Sequence, residues 1–337
     1  MAQGIILVGG FGTRLRPLTN TVPKPMLPIA GLPVTEHQLV RAKRAGITSL
    51  VLATSYLSEV FIPYFGDGSK WGMKLNYAIE VEPLGTGGAI RNAATLLNTH
   101  ESIVIFNGDV LSSHDLSAQI ALHERRDADV TLHLTHVPDP RAYGCVPIDE
   151  GDRVMAFLEK MENPIANTIN AGCYVFHPRV LAEIPAGKVV SVEREIFPNL
   201  VQEGRSIFGF VDDSYWLDIG TPTALLQGSI DVVRKVADDS ALEGIPTSHR
   251  NDDYVALQGA IIELGAKITG GSSIGRGAHI SQGAHVDASI ICAGARVSPD
   301  AQIKNCFVAE GAIVPSGVDL IDSYIGIEGI TSLIAGK

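Results

Sequence analysis

The sequence predicts an α/β protein: a mostly parallel sheet sandwiched by helices, followed by a parallel β-helix. Two patterns carry this expectation. Up to residue 237, short apolar runs alternate with amphipathic stretches at βαβ spacing. Beyond residue 254, an isoleucine or valine recurs every six residues, the period of a parallel β-helix.

Taken in order, Ile5 to Val8 is an apolar run too short for a buried helix and closed by Gly9 and Gly10, so it reads as a buried strand. Thr35 to Ala45 reads as a helix stopped by Gly46. Ile47–Ala53, Leu75–Ile79, Ser102–Phe106 and Asp129–Thr135 read as strands, with helices at Gly88–Leu97 and Asp115–Arg126. The later pattern is more mixed. Val154–Leu158, Ile169–Phe176 and Ser206–Val211 are strand-like, with helices near Val192–Glu203 and at Pro222–Val236. Asp238–Asp253 is polar, contains Gly244 and Pro246 and lacks a period, so it reads as a linker. The expected domains are therefore 1–237, a linker at 238–254 and a repeat domain at 255–330.

In the repeat domain the inward positions are Ile262, Ile268, Ile274, Ile280 and Val286, then Ile291, Val297 and Ile303 after a slip of one residue. Gly-Ala pairs such as Gly277-Ala278 and Gly283-Ala284 suit the tight corners. Seventy-odd residues would make roughly four turns at three repeats per turn. His279 and His285 are six apart, so they fall on adjacent sides and do not stack.

The composition narrows the function. Hydrophobic residues make up 45% and charged residues 19%, enough for a large core. A net charge of −11 with no basic stripe argues against nucleic acid as the main partner. Four cysteines without a C-x-x-C pair point to a reducing cytosol. No leader pattern is present, and no apolar run approaches the ~18 residues of a membrane span. The histidines form no H-E-x-x-H pattern, and His133 and His136 read as surface or satisfied core residues.

The richest stretch is Gly4 to Pro28. Gly9, Gly10 and Gly12 follow the first strand directly, where consecutive backbone N–H groups favour anions and open α/β sheets bind ligands. Arg14, Arg16 and Lys24 enter among Pro17, Pro23 and Pro25, giving a stiff cationic loop. It is neither a Walker loop nor a dinucleotide fingerprint, because no Gly-Lys-Ser/Thr follows and Leu15 replaces the third glycine.

GGFGTRLRPLT followed by PKPMLP resembles the sugar-nucleotide pyrophosphorylases, or sugar-1-phosphate nucleotidyltransferases. The resemblance implies a Rossmann-like catalytic domain, and the repeat resembles left-handed hexapeptide β-helices. It implies nucleotide contacts from Leu7, Gly9, Gly10, Gly12, Thr13, Arg14, Glu82 and Gly85. Glu82 opens the block Glu82-Pro83-Leu84-Gly85-Thr86; a carboxylate is acceptor-only, which suits the two donors on guanine's Watson–Crick edge. Asp109 in Asn107-Gly108-Asp109 and Asp218 in Asp218-Ile219-Gly220 match the family's carboxylates for Mg²⁺. Gly144, Glu159, Lys160 and Asn170 match its sugar-phosphate contacts, although Met161 stands where proline usually follows the lysine.

Asn170-Ala171-Gly172 together with the Glu82 block looks most like the mannose-1-phosphate guanylyltransferases. The implied reaction joins GTP and mannose 1-phosphate into GDP-mannose and pyrophosphate, with Arg14, Lys24, Asp109, Lys160 and Asp218 as catalytic groups. Glucose or heptose 1-phosphate with UTP, dTTP or ATP is the alternative, as is a catalytically silent sensor or assembly relative. Other expectations are a cytoplasmic location and a homo-oligomer formed through the β-helix.

Overall fold

The computed structural model describes residues 2–333 apart from 11, 21, 56, 57, 99 and 159–161. The chain forms two compact units, one of Met1–Gly10 and Gln38–Trp216, the other of Phe11–His37 and Leu217–Lys337.

The first unit is built on a seven-stranded sheet. Its strands are β1 (Gln3–Leu7), β2 (Ser49–Thr54), β3 (Lys74–Ile79), β4 (Ile103–Asn107), β5 (Val130–His136), β6 (Thr168–Phe176) and β7 (Ile207–Val211), in the order β7-β5-β6-β4-β1-β2-β3. β1 pairs in parallel with β2 and β4, β2 with β3, and β5 with β7. β6 runs antiparallel to both neighbours, β4 and β5.

One transverse row shows why these residues make this sheet. Val51, Ile5, Ile105, Tyr174 and Leu132 are register partners across five strands. All five are fully buried in one core. Each such side chain contributes about 1.5–3 kcal/mol on burial. Helices α1 (Val34–Arg44), α2 (Gly85–Ala94) and α3 (Leu116–Arg126) follow strands or turns as expected. α1 carries the chain from the second unit to the first, between His37 and Gln38. Asp115 caps α3 by accepting from the N–H of Ala118 at 2.9 Å.

Two expectations differ from the outcome. Val154–Leu158 forms isolated bridges, with no ladder of its own. Its ends serve different partners: Val154 N–H donates to Ile207, and Leu158 N–H to Cys145. The helix expected near Val192–Glu203 divides into a π-helical turn, Val192–Ile196, and an α-helical piece, Phe197–Gln202. Pro198 has no N–H, so an α-helical ladder cannot run through it unbroken.

The second unit holds α4 (Pro222–Val233), a small hairpin of Pro28–Ile29 with Leu32–Pro33, and the β-helix. On one β-helix face Ile261, His279, Arg296 and Ile313 are stacked in parallel register. On the next, Lys267, His285, Gln302 and Asp319 are stacked. The expected inward residues Ile274, Ile280, Val286, Ile291, Val297 and Ile303 are buried together. The third face runs from Tyr254–Leu257 to Ser323–Gly326.

A side chain on Gly271 would come within 2.8 Å of Ile230 on α4, so glycine admits that close approach. Residues 11–37 join this unit through particular contacts. The N–H of Ala30 donates to Ser229 Oγ at 2.9 Å, and Leu257 fills the space where a Gly31 side chain would stand. The 238–254 stretch carries a strand, Thr247–Arg250, antiparallel to Tyr254–Leu257. Arg250 ties it down by donating to Asp239 at 2.5 Å and to the Leu242 carbonyl at 3.1 Å. No described helix is long and apolar enough to cross a membrane. The four cysteines are free thiols.

Candidate active site

In the first unit, the loops at the carboxyl ends of the parallel strands carry most of the residues singled out above. Leu7 ends β1, and exposed Gly9 and Gly10 follow. A side chain on Gly9 would sit 2.8 Å from Ser55 Oγ just beyond β2, and Gly10 has φ 112°. Both positions therefore favour glycine. β4, the parallel neighbour of β1, ends at Asn107. The Gly108 N–H donates to the Leu7 carbonyl at 3.0 Å, and a Gly108 side chain would overlap that carbonyl. The turn carrying half-buried Asp109 is thus pressed against the end of β1.

Beyond β3, the Glu80 carboxylate accepts from the Leu84 N–H at 3.2 Å. Burial raises the Glu80 pKa, and that hydrogen bond partly offsets the rise. The loop leading into α2 is pinned to Val190: Val190 N–H donates to Leu84 at 2.9 Å, and Gly87 N–H donates to Val190 at 2.8 Å. A Gly85 side chain would stand 2.6 Å from the Val190 carbonyl, and its φ is 70°. Glycine at 85 therefore lets this loop lie on residue 190. Glu82 remains exposed near its tip. Thr86 donates its hydroxyl to Glu193 at 2.7 Å, fixing the loop from the other side.

Of the sugar-side residues, Gly144 and Asn170 are described, and both lie in this unit. Cys145 N–H donates to Leu158 at 2.8 Å, Leu158 N–H returns to Cys145 at 3.0 Å, and Val146 N–H donates to Thr168 at 2.9 Å. Gly144, next to Cys145, and Leu158 therefore lie beside the start of β6. Glu159 and Lys160, the next residues, lie outside the described residues. On β6 the Asn170 amide donates to Tyr174 Oη at 2.8 Å, and the Asn107 amide donates to the same oxygen at 3.3 Å. Burial lifts the Tyr174 pKa well above its ordinary value, so the phenol stays neutral.

In the second unit, Gly12 takes a left-handed conformation (φ 56°) ahead of the 3₁₀ turn Thr13–Leu15. Its carbonyl accepts from the Leu15 N–H at 2.9 Å and the Thr19 hydroxyl at 2.8 Å. Buried Lys24 packs alongside, its Cβ 3.2 Å from where a Gly12 side chain would begin. Arg14 and Asp218 meet at Gly220. A side chain there would fall 2.8 Å from Arg14 Nη2 and 2.9 Å from Asp218 Oδ1. A cation and a carboxylate more than two hundred residues apart in sequence thus face one bare glycine.

Sequence reading passed over Gln38, Thr19 and Tyr174. Gln38 lies inside a helix, where nothing marks it. Tyr174 carried a usable signal, because strand alternation places it on the face of Asn170. Among the described residues, no group of three or more His, Cys, Asp or Glu side chains is arranged to hold a metal ion.

A model of the nucleotidyl transferase family matches residues 3–235, more than half of the chain. The chain belongs to that family. As a nucleotidyl transferase it is 49% identical to the mannose-1-phosphate guanylyltransferase of Mycobacterium tuberculosis, over 90% of this chain and 83% of that one. It is 34% identical to a probable mannose-1-phosphate guanylyltransferase of Oryza sativa subsp. japonica, over 91% of this chain and 85% of that one. Among solved structures, HddC from Yersinia pseudotuberculosis complexed with GMP-PN is 29% identical, with a TM-score of 0.58, covering 68% of this chain and 98% of that one. The fold is also that of a putative glucose-1-phosphate thymidylyltransferase from Bacillus anthracis, at 22% identity and a TM-score of 0.62, covering 68% of this chain and 94% of that one.

Proposed function

We propose that this nucleotidyl transferase joins GTP and mannose 1-phosphate to form GDP-mannose and pyrophosphate. The observation that carries the reading is the 49% identity to a mannose-1-phosphate guanylyltransferase, extending over 90% of the chain. The exposed carboxylate of Glu82 on its pinned loop supports guanine, since it accepts from both N1–H and the exocyclic amine.

An oxygen of the sugar phosphate attacks the α-phosphorus in line. The new P–O bond forms as the bond to the β-phosphate breaks, and that electron pair leaves on pyrophosphate. A phosphate monoester has its second pKa near 6, so the nucleophile is already ionised at neutral pH and needs no general base. Catalysis then rests on positioning and charge. Leu7, Gly9, Gly10, Gly12 and Thr13 receive the nucleotide, with Gly85 shaping the base loop. Arg14 faces the departing pyrophosphate and Lys24 the α-phosphate. Lys160 fixes the attacking phosphate, while Gly144, Glu159 and Asn170 receive the sugar.

Asp109 and Asp218 each offer only oxygen donors, and among the described residues no group of three or more His, Cys, Asp or Glu side chains is arranged to hold a metal ion. That donor chemistry suits Mg²⁺ completed by substrate phosphates and does not suit an ion caged wholly by protein. When bound, Mg²⁺ supplies neutralisation of phosphate charge. In this reading residues 1–237 catalyse, 238–254 link, and 255–330 associate subunits in a cytoplasmic homo-oligomer.

The test is pyrophosphate release with GTP, UTP, ATP and dTTP, each with mannose 1-phosphate and with glucose 1-phosphate. GTP with mannose 1-phosphate should exceed every other pair in kcat/KM by at least about tenfold. An equal or higher value for UTP with glucose 1-phosphate would overturn the reading.

A further inference from the structure

Gln38 is buried in α1 and reaches across to the turn after β4. Its side-chain nitrogen donates to the Asn107 carbonyl at 2.7 Å and to the Val110 carbonyl at 3.0 Å. An amide carries two N–H groups on that nitrogen, so both bonds form at once. The two carbonyls bracket Gly108 and Asp109. The same turn is held on a second side, where the Asn107 amide donates to Tyr174 Oη, and on a third, where the Gly108 N–H donates to Leu7. Without Gln38, these two part-buried carbonyls would lose that donor.

We propose that Gln38 is a positioning residue: it clamps the Asn107–Val110 turn and so fixes the direction of the Asp109 carboxylate toward the divalent ion. The proposal rests on the reading of Asp109 as a metal carboxylate. Ordinary helix packing does not call for a glutamine here. A leucine or methionine would fill the volume, but neither can donate to a carbonyl. The two-pronged bond to carbonyls on either side of one aspartate is what an outer-shell support provides, and losing such a support typically weakens metal affinity or activity ~10–100-fold.

The experiment compares the full-length parent, Gln38→Met, Gln38→Ala and Asp109→Asn. Three quantities are read: melting temperature, half-saturating Mg²⁺ for turnover, and Mn²⁺ affinity of the enzyme–GTP complex, by electron paramagnetic resonance without sugar phosphate. Gln38→Met keeps the volume and should stay folded. It should raise half-saturating Mg²⁺ and weaken Mn²⁺ binding by about tenfold or more. Its KM for mannose 1-phosphate at saturating Mg²⁺ should change less than about twofold, a split that general loosening of the fold would not produce. Gln38→Ala should show the same split with a lower melting temperature.

Parental metal dependence in Gln38→Met, with Asp109→Asn impaired, would overturn the clamp and leave the reading of Asp109 standing. Parental metal dependence in Asp109→Asn would overturn that reading itself. A Gln38→Met variant that loses sugar-phosphate and metal affinity equally would assign Gln38 to stability and overturn the proposal.

Discussion

Asp109 and Arg14 occupy very different surroundings, and each makes a separate demand on the chain. Asp109 sits on a turn fixed by Leu7, Gln38 and Tyr174, whereas Arg14 extends from a 3₁₀ turn to the bare backbone of Gly220. Neither is a core residue, so losing either should affect rate far more than stability. Arg14→Ala and Asp109→Asn should each lower kcat/KM roughly 10²–10³-fold, the scale of removing one preorganised charge-stabilising group. Steady-state pyrophosphate release, with melting temperatures as a control, checks this. Near-parental turnover in either variant would strip that residue of its role. At this scale the sequence was legible where chemistry sits in contiguous blocks, as in Gly9 to Lys24 and Asn107 to Asp109. It was silent on Gln38 and Thr19, whose importance lies in the carbonyls they meet after folding. Gly85 shows a third case: the loop was visible, but not that its glycine also accommodates the Val190 backbone.

Among the elements, α3 and β5 bury a set of neutral histidines. His114 and His133 lie with ring centroids 3.6 Å apart, and an Arg41 guanidinium nitrogen lies 2.6 Å from His114 Nδ1. Gln119 and Ser112 also face His114, and the Asp212 carbonyl faces His133. Burial, then Arg41, holds the His133 pKa down to about 4. Burial, then His177 and Arg179, does the same for His123, which bonds Thr131 and lies near Asp127 and Asp129. His114 is lowered well below its usual value by burial, Arg41 and His133. The unfolded chain takes up these protons near pH 6.5, but the folded chain does so only near pH 4 for His123 and His133. Their stabilisation is therefore complete above pH 6.5 and lost as pH falls from there toward 4. Urea midpoints should drop across that window, and His123→Gln should flatten the drop by about one proton's worth. A midpoint constant from pH 6.5 to 4.5 would contradict this account. The element boundaries were largely legible because period and punctuation are local. The direction of β6 was not, since antiparallel pairing with β4 and β5 depends on where the chain returns. The split at Pro198 was legible in principle from the missing N–H alone.

Over the whole molecule, a net charge of −11 opposes the approach of two polyanionic substrates, so binding must rest on local cations and backbone N–H groups. The six-residue period made the β-helix legible, because one repeated side-chain requirement recurs through four stacked strands on a face. Membership of residues 11–37 in the unit with 217–337 was not legible. It depends on contacts such as Ala30 with Ser229, 199 residues apart, which leave no local pattern. The central claim is that a sugar phosphate captures the α-phosphoryl nucleotide and expels pyrophosphate. Mannose 1-phosphate labelled with ¹⁸O on its non-bridging phosphate oxygens, incubated with GTP and the enzyme, tests it most directly by mass spectrometry of both products. The account predicts all of the label in GDP-mannose and none in pyrophosphate; label in pyrophosphate, or pyrophosphate formed without labelled GDP-mannose, would contradict it.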